Sequence, residues 1–366
     1  MKTMSLREAV GSLLVVGVGS TALSAVERAW LRVVRPSGII LFRRNIEDAR
    51  QTHALLEDAG AACATHPLRC VDLEGGTVDR LRDALAAMPS AQAVALRGSA
   101  ALAREQGRLT ARAARAFGMN TTLAPVLDLG LAESQAILGT RTAAADAAGV
   151  TAWARAFLSG LRDEGVTGCG KHFPGLGGGT LDSHQRMPEI ERGMERMWSE
   201  DMAPYRALRR ELPMVMVSHA AYPQTDGGSE PASQSPYWMQ SVLRKRLGYR
   251  GLVFSDDMEM GGVLGARPME EAVITALLAG MDVLEICHSE ELILRGFEAL
   301  LREAESSAVF RRLVTARARG VAAWREKQFA RGVGPTPSVA EMAALRAEIE
   351  DFSRRVAGNP AGERTR

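Results

Sequence analysis

The chain has 366 residues, 46% apolar and 24% charged, with 45 basic and 43 acidic side chains and a formal net charge of +2. That is the composition of a soluble globular protein, and its near balance of charge leaves no footprint for nucleic acid or a membrane surface. The length exceeds one small domain but suits one (β/α)8 barrel with insertions.

Residues 10–18 (VGSLLVVGV) are apolar, and the small residues around Ala25 resemble a cleavage site. A secretory leader needs a clearer positive region ahead of the apolar run. Residues 13–18 therefore read as a buried strand, with a helix from about Ser24. No apolar run is long enough to span a bilayer. The four cysteines, Cys63, Cys70, Cys169 and Cys287, show no C-x-x-C spacing. They read as reduced and buried, which points to the cytoplasm.

Apolar runs of strand length recur along the chain, at 13–18, 38–42, 70–73, 121–127, 166–170, 214–218, 252–255 and 283–287. Amphipathic stretches rich in Ala, Arg and Leu lie between them, for example 100–117, 143–163, 197–211 and 236–247. Eight strand–helix units in series predict an α/β fold with a parallel sheet closed into a single (β/α)8 TIM barrel. No linker divides residues 1–330, which are expected to form one catalytic domain. Residues 332–337 are a turn-rich break, after which Ser338 and Glu341 have the spacing of a capping box. A last helix is expected over 339–356. Residues 331–366 are thus a C-terminal helical extension, with a disordered tail from Gly358.

Active sites of such barrels form at the C-terminal ends of the strands. The third strand ends in Asp72, the fourth at Asp128, the fifth at Lys171 and His172, the sixth at His219 and the seventh at Asp256 and Asp257. A lone Asp after a strand is commonly a helix cap, but five strand ends behaving alike point to one functional rim. Residues 171–184 (KHFPGLGGGTLDSH) carry four glycines and a proline, so they form a loop. The loop ends in Asp182, Ser183 and His184. An Asp two residues from a His can fix its tautomer and favour its charged form.

This segment resembles the K-H-F-P-G-H-G-D-T-x-x-D-S-H signature of bacterial β-N-acetylglucosaminidases of glycoside hydrolase family 3. Residues 254–260 (FSDDMEM) resemble that family's S-D-D-L-x-M nucleophile motif, and 71–82 (VDLEGGTVDRLR) its D-Q-E-G-G-x-V-x-R-x-R segment. Residues 38–45, 137–141 and 218–223 match as well, and the likeness runs in order from about residue 11 to 330. The resemblance implies a retaining β-N-acetylhexosaminidase with Asp256 as nucleophile and His184, supported by Asp182, as acid/base. It implies that Asp72, Arg80, Arg141, Lys171 and His172 bind the sugar. No cofactor or metal is expected. The substrate would be a muropeptide or chitooligosaccharide containing N-acetylglucosamine, cleaved during cell-wall recycling by a monomer. Leu176 and Gly178 depart from the family's His and Asp, and Gly179 stands where Thr is usual, so the loop has lost polar anchors.

Retaining glycosidases usually set two carboxylates about 5–5.5 Å apart. Asp257 adjoins Asp256, but successive strand side chains point to opposite sides, so Asp257 reads as structural or helix-capping. An imidazolium can replace the second acid, and its ordinary pKa of about 6.5 suits proton transfer at neutral pH. The five tryptophans fall mostly in helical segments and read as packing. Two rivals share the site: an N-acetylglucosaminide phosphorylase, and a non-catalytic paralogue that binds peptidoglycan fragments. A metal-dependent hydrolase using His172, His184, His219 and Asp256 has no H-x-H or H-E-x-x-H spacing to support it.

Overall fold

The computed structural model describes residues 4–179, 187–330 and 332–358. The strands are β1 (Leu14–Gly17), β2 (Gly38–Leu41), β3 (Leu68–Val71), β4 (Leu73–Gly75), β5 (Val78–Asp79), β6 (Thr121–Thr122), β7 (Thr167–Phe173), β8 (Met214–Val217), β9 (Leu252–Asp257) and β10 (Val283–Ile286). Eight of them close a parallel barrel in the order β1-β10-β9-β8-β7-β6-β3-β2, while β4 and β5 form an antiparallel hairpin on the rim. β1 is buried throughout and pairs with β10 and β2, as a strand enclosed by helices must. The (β/α)8 expectation is met.

Helices surround the barrel: α1 (Leu6–Gly11), α2 (Ala25–Val34), α3 (Ala49–Ala62), α4 (Ala91–Ala95), α5 (Ala100–Ala116), α6 (Ala147–Asp163), α7 (Met194–Ser199), α8 (Ala203–Leu208), α9 (Gly261–Leu264), α10 (Met269–Ala279), α11 (Glu290–Ser306) and α12 (Ala308–Phe329). Eight of them, α1–α6, α11 and α12, start at a side-chain cap. Asp48 caps α3, Ser99 caps α5 and Asp146 caps α6, each accepting from a backbone N–H of the first turn. α12 meets the barrel where strands begin, its buried Arg325 donating at 2.8 Å to the Thr65 carbonyl ahead of β3.

Three expected elements differ, each for a local reason. The strand expected at 121–127 is regular only over Thr121–Thr122. Irregular pairing continues past it: Leu123 N donates to Val71 O, the Ala124 and Pro125 carbonyls accept from Cys169 and Lys171, and Val126 bridges Lys171, while Pro125 has no N–H to give the ladder. The helix expected at 197–211 is split into α7 and α8, with Pro204 near the start of the second. The helix expected at 236–247 is wound as a π-helix (Tyr237–Arg246), Leu247 N donating to Val242 O five residues back.

The last helix, α13 (Val339–Ala357), begins with the expected capping box of Ser338 and Glu341. It packs on α5 through Leu345, Ile349, Phe352 and Val356, all buried and spaced along one helical face. Glu348 pairs with Arg112 of α5, and Arg355 with Glu105 at 2.6 Å. Phe352 is fully buried, so Phe352→Ala should remove about 3–5 kcal/mol of packing. The expected outcome is a lower melting temperature and faster proteolytic cleavage between α12 and α13; an unchanged cleavage rate would mean that this packing does not hold the extension in place.

Candidate functional site

A cavity of about 210 Å³ opens at the C-terminal end of the barrel strands. Asp72, Arg80, Arg141, Lys171, His172 and Asp256, six of the residues expected to form the site, all line it. Asp182 and His184 lie outside the described residues.

Asp72 follows β3 directly, and the hairpin β4–β5 then swings Glu74 and Arg80 back over it. The turn between them requires glycine. Gly75 and Gly76 have φ of 85° and 61°, and a Cβ on Gly75 would lie 2.2 Å from the Pro89 carbonyl oxygen. Lys171 Nζ donates to Asp72 Oδ1 at 2.8 Å and forms an ion pair with Glu74 Oε1 at 2.6 Å. Arg80 Nη2 donates to Asp72 Oδ2 at 3.1 Å. Arg141 grips Glu74 with two parallel bonds, at 2.7 and 2.9 Å. The result is an alternating chain, Arg80–Asp72–Lys171–Glu74–Arg141.

Burial would raise both carboxyls, but the neighbouring cations overcome it. Lys171 and Arg80 hold Asp72 well below the usual carboxylate range, and Arg141 and Lys171 bring Glu74 down to about 2. Burial likewise opposes the charge of Lys171, and Asp72 and Glu74 reverse that, raising its pKa.

His172 is oriented by Asp128, whose Oδ2 lies 2.7 Å from Nδ1. A carboxylate accepts, so Nδ1 carries the proton and Nε2 is left for a ligand. Asp128 also accepts the Leu176 N–H at 2.8 Å, tying the start of the glycine-rich loop to the same anchor. Leu176 itself lines the cavity. Gly178 is packed against Arg192, where an added Cβ would lie 2.6 Å from Cδ. Arg192 is in turn held at 2.9 Å by Asp201, whose carboxyl burial pushes up to about 6 against the pull of Arg192.

The pairs Lys171–His172 and Asp256–Asp257 break strand alternation. Both members of each pair line the cavity, which corrects the reading of Asp257 as facing away. The cause is a register shift in each strand: Gly170 to Phe173 of β7 spans Val215 to Val217 of β8, and Phe254 to Asp257 of β9 spans Val283 to Glu285 of β10. Asp257 also accepts the Glu259 N–H at 3.1 Å, so its local turn role holds too. Burial, partly offset by that N–H and reinforced by the charges of Glu259 and Asp256, pushes the Asp257 carboxyl up to about 7. Asp256 Oδ1 accepts the Asp257 N–H at 2.9 Å.

His219 is fully buried beside this strand end, not in the cavity wall. Its Nε2 lies 3.0 Å from the Asp257 carbonyl oxygen and so donates to it, while Nδ1 accepts from Ser233 Oγ at 2.7 Å. Two acids escaped the sequence reading of roles. Glu74 stands two residues after Asp72, on the same alternation, which was an available signal. Glu285 is the single charged residue inside the apolar run of the last strand.

The family model for the glycosyl hydrolase family 3 N-terminal domain matches residues 5–323. A protein of Methylococcus capsulatus named beta-hexosaminidase is 38% identical over 295 residues, covering 80% of this chain and 87% of that one. A family 3 beta-N-acetylglucosaminidase from a Paenibacillus species superposes with a TM-score of 0.86 at 28% identity, over 96% of this chain and 69% of that one. NagZ from Neisseria gonorrhoeae, solved with N-trifluoroacetyl-D-glucosamine, gives a TM-score of 0.77 at 26% identity, over 94% of this chain and 98% of that one.

Lys171 is the shared cation of two buried carboxylates, so Lys171→Met should destabilise the fold by about 3–5 kcal/mol in urea denaturation. The pH dependence has a definite sign. Glu74 sits at about 2 in the fold against an ordinary 4.5, so its contribution is complete above about pH 4.5 and is lost as pH falls towards 2. Denaturation midpoints should fall across that window, less steeply in Glu74→Gln. Equal slopes for the two proteins would rule out the paired, ionised Glu74.

Proposed function

Because the chain belongs to glycosyl hydrolase family 3, we propose that it removes terminal β-linked N-acetylglucosamine with retention of configuration. The observation that carries this reading is the shared cavity, where Asp256 adjoins the alternating chain of Asp72, Lys171, Glu74 and two arginines. Among the described residues each Asp72 oxygen has one side-chain hydrogen-bond donor, which leaves lone-pair capacity for a sugar hydroxyl. Arg80, Arg141 and His172 add donors around the same space.

In the first step an Asp256 carboxylate oxygen bonds to the anomeric carbon as the bond to the leaving oxygen breaks. His184, supported by Asp182, gives that oxygen its proton. In the second step water gives a proton to His184 and its oxygen to the anomeric carbon, and Asp256 leaves as carboxylate. His219 supports the nucleophile's strand end through the Asp257 carbonyl. The catalytic unit is residues 1–330, with 331–366 as a helical extension. The substrate class is an N-acetylglucosamine-containing muropeptide or chitooligosaccharide, met in the cytoplasm by a monomer during cell-wall recycling. Four free, buried cysteines support a reducing compartment.

The direct test is hydrolysis of a chromogenic β-N-acetylglucosaminide beside the β-glucoside, each with and without phosphate. The N-acetylglucosaminide should be preferred, and free N-acetylglucosamine should be the product in both buffers. A sugar 1-phosphate as product would replace the hydrolase reading with the phosphorylase one. Asp256→Ala should lower turnover by on the order of 10⁴-fold or more without loss of fold. A fluorosugar adduct trapped on another residue would move the nucleophile there.

His184→Ala should slow substrates with poor leaving groups far more than activated aryl glycosides, because a good leaving group needs little protonation. Azide should partly restore the second step, since it needs no deprotonation. Equal slowing of both substrate types, with no azide rescue, would remove His184 as acid/base. Leu176→His combined with Gly178→Asp should alter KM or leaving-group preference more than the pH profile.

A further inference from the structure

The floor of the cavity is one layer deeper in the barrel than the ion-paired rim. Ile40, Met216 and Glu285 are each the third residue of their strands, all are 1–2% exposed, and all line the cavity together with Leu123. Ile40, Met216 and Leu123 are apolar, so Glu285 is the polar side chain of this layer. Its backbone is fully engaged, with its N–H donated to Ser255 Oγ at 2.9 Å and its carbonyl accepting from Met258. Its side chain is not. Oε1 has no hydrogen-bond partner among the described residues and is closed off from the cavity space, so it burdens the fold without itself being the atom a ligand reaches. A buried polar group left in that state destabilises a fold, and an apolar side chain of the same size would fill the layer without that cost.

We propose that Glu285 is a specificity-determining residue of this pocket, its carboxyl forming the floor and hydrogen-bonding one polar substituent of the sugar that enters deepest. The inference rests on the cavity being the sugar site. Burial, with the nearby charges of Asp72, Asp257 and Asp256, pushes the Glu285 carboxyl well above the ordinary range, against a weaker pull from Lys171. That direction favours the uncharged acid, which can both donate and accept. A sugar hydroxyl or amide lowered onto Ile40, Met216 and Leu123 would lose its bonds to water with nothing in return. Over Glu285 it regains one, and a sugar lacking that group leaves the acid unpaired. Such polar complementarity discriminates more sharply than apolar contact.

The test uses the full chain with Glu285→Leu, Glu285→Met as a second apolar replacement, and Glu285→Gln. Steady-state kinetics are read on an aryl β-N-acetylglucosaminide. Inhibition is read with N-acetylglucosamine, its 3-, 4- and 6-deoxy forms, and glucose, which lacks the acetamido group. kcat/KM should fall about 10- to 100-fold in Glu285→Leu, and by roughly tenfold less in Glu285→Gln, whose amide can still hydrogen-bond. One sugar of the panel should lose its penalty in the apolar variants while the others keep theirs, as expected for a direct contact. The melting temperature should rise in the apolar variants, since an unpartnered buried acid is gone; a purely structural role would lower it. Wild-type kcat/KM in Glu285→Leu, or parallel losses across the whole sugar panel, would overturn the inference while leaving the glycosidase reading intact. If the wild-type protein neither cleaves nor binds N-acetylglucosamine, the pocket assignment itself fails.

Discussion

Lys171 places one ammonium between two carboxylates inside the barrel, and the rest of the site is arranged around that contact. Asp72 and Glu74 are both buried, with side chains about 12% and 2% exposed. Neither could remain charged there alone, because desolvation of an isolated carboxylate outweighs what water-like surroundings would return. Each is therefore held between two cations, and Lys171 is common to both. The order Arg80–Asp72–Lys171–Glu74–Arg141 alternates in sign, so every neighbour is attractive. It also joins three parts of the chain: the strand and hairpin after residue 68, the turn at Arg141, and β7. A sugar that binds over this chain meets side chains already fixed in direction, so little ordering is left for binding to supply.

The second constraint is backbone geometry. A regular strand alternates its side chains and can offer one residue of each consecutive pair to a cavity. Here Lys171–His172 and Asp256–Asp257 both offer two, because β7 and β9 each carry an extra residue against a neighbouring strand. Neither irregularity stands unsupported. Asp128 holds the His172 ring and backbone, and His219 holds the Asp257 carbonyl. Buried groups outside the cavity wall thus set the direction of those inside it, as outer-layer residues do in preorganised sites.

Most of the barrel was legible because its strands are short apolar runs between amphipathic segments, a periodic signal that tertiary packing seldom reverses. The end of each strand, and with it Asp72, Lys171, His172 and Asp256, followed from the same runs. What escaped was information that lies between strands. Alternation alone turned Asp257 away, since a register shift depends on the neighbouring strand and leaves no mark in a single run. Pro125 and Pro204 were visible as residues, but the apolar pattern across them was read as continuous. Glu74 passed as part of a motif, its partners Arg141 and Lys171 being 67 and 97 residues distant in sequence. Glu285 passed as one charge within an apolar strand. A residue that breaks its local pattern with no evident compensation is where sequence consistency and function diverge.

The charges of the cavity bear on what it can hold. Around the cavity Asp72, Glu74 and Asp256 match Lys171, Arg80 and Arg141 in number. Two further acids line the same space, and their environments keep them from upsetting that balance: Asp257 is pushed up to about 7, and Glu285 lies well above the ordinary range. Were both fully ionised, five carboxylates would crowd a cavity of about 210 Å³ against three cations. The site is instead close to neutral and dense in fixed donors and acceptors. An uncharged, hydroxyl-rich ring suits such a space, because it brings many hydrogen bonds and no net charge to desolvate. Burial first, and then the charges of Asp72, Asp257 and Asp256, raise the Glu285 carboxyl and so favour its uncharged form, which can donate to a ligand where a carboxylate could only accept.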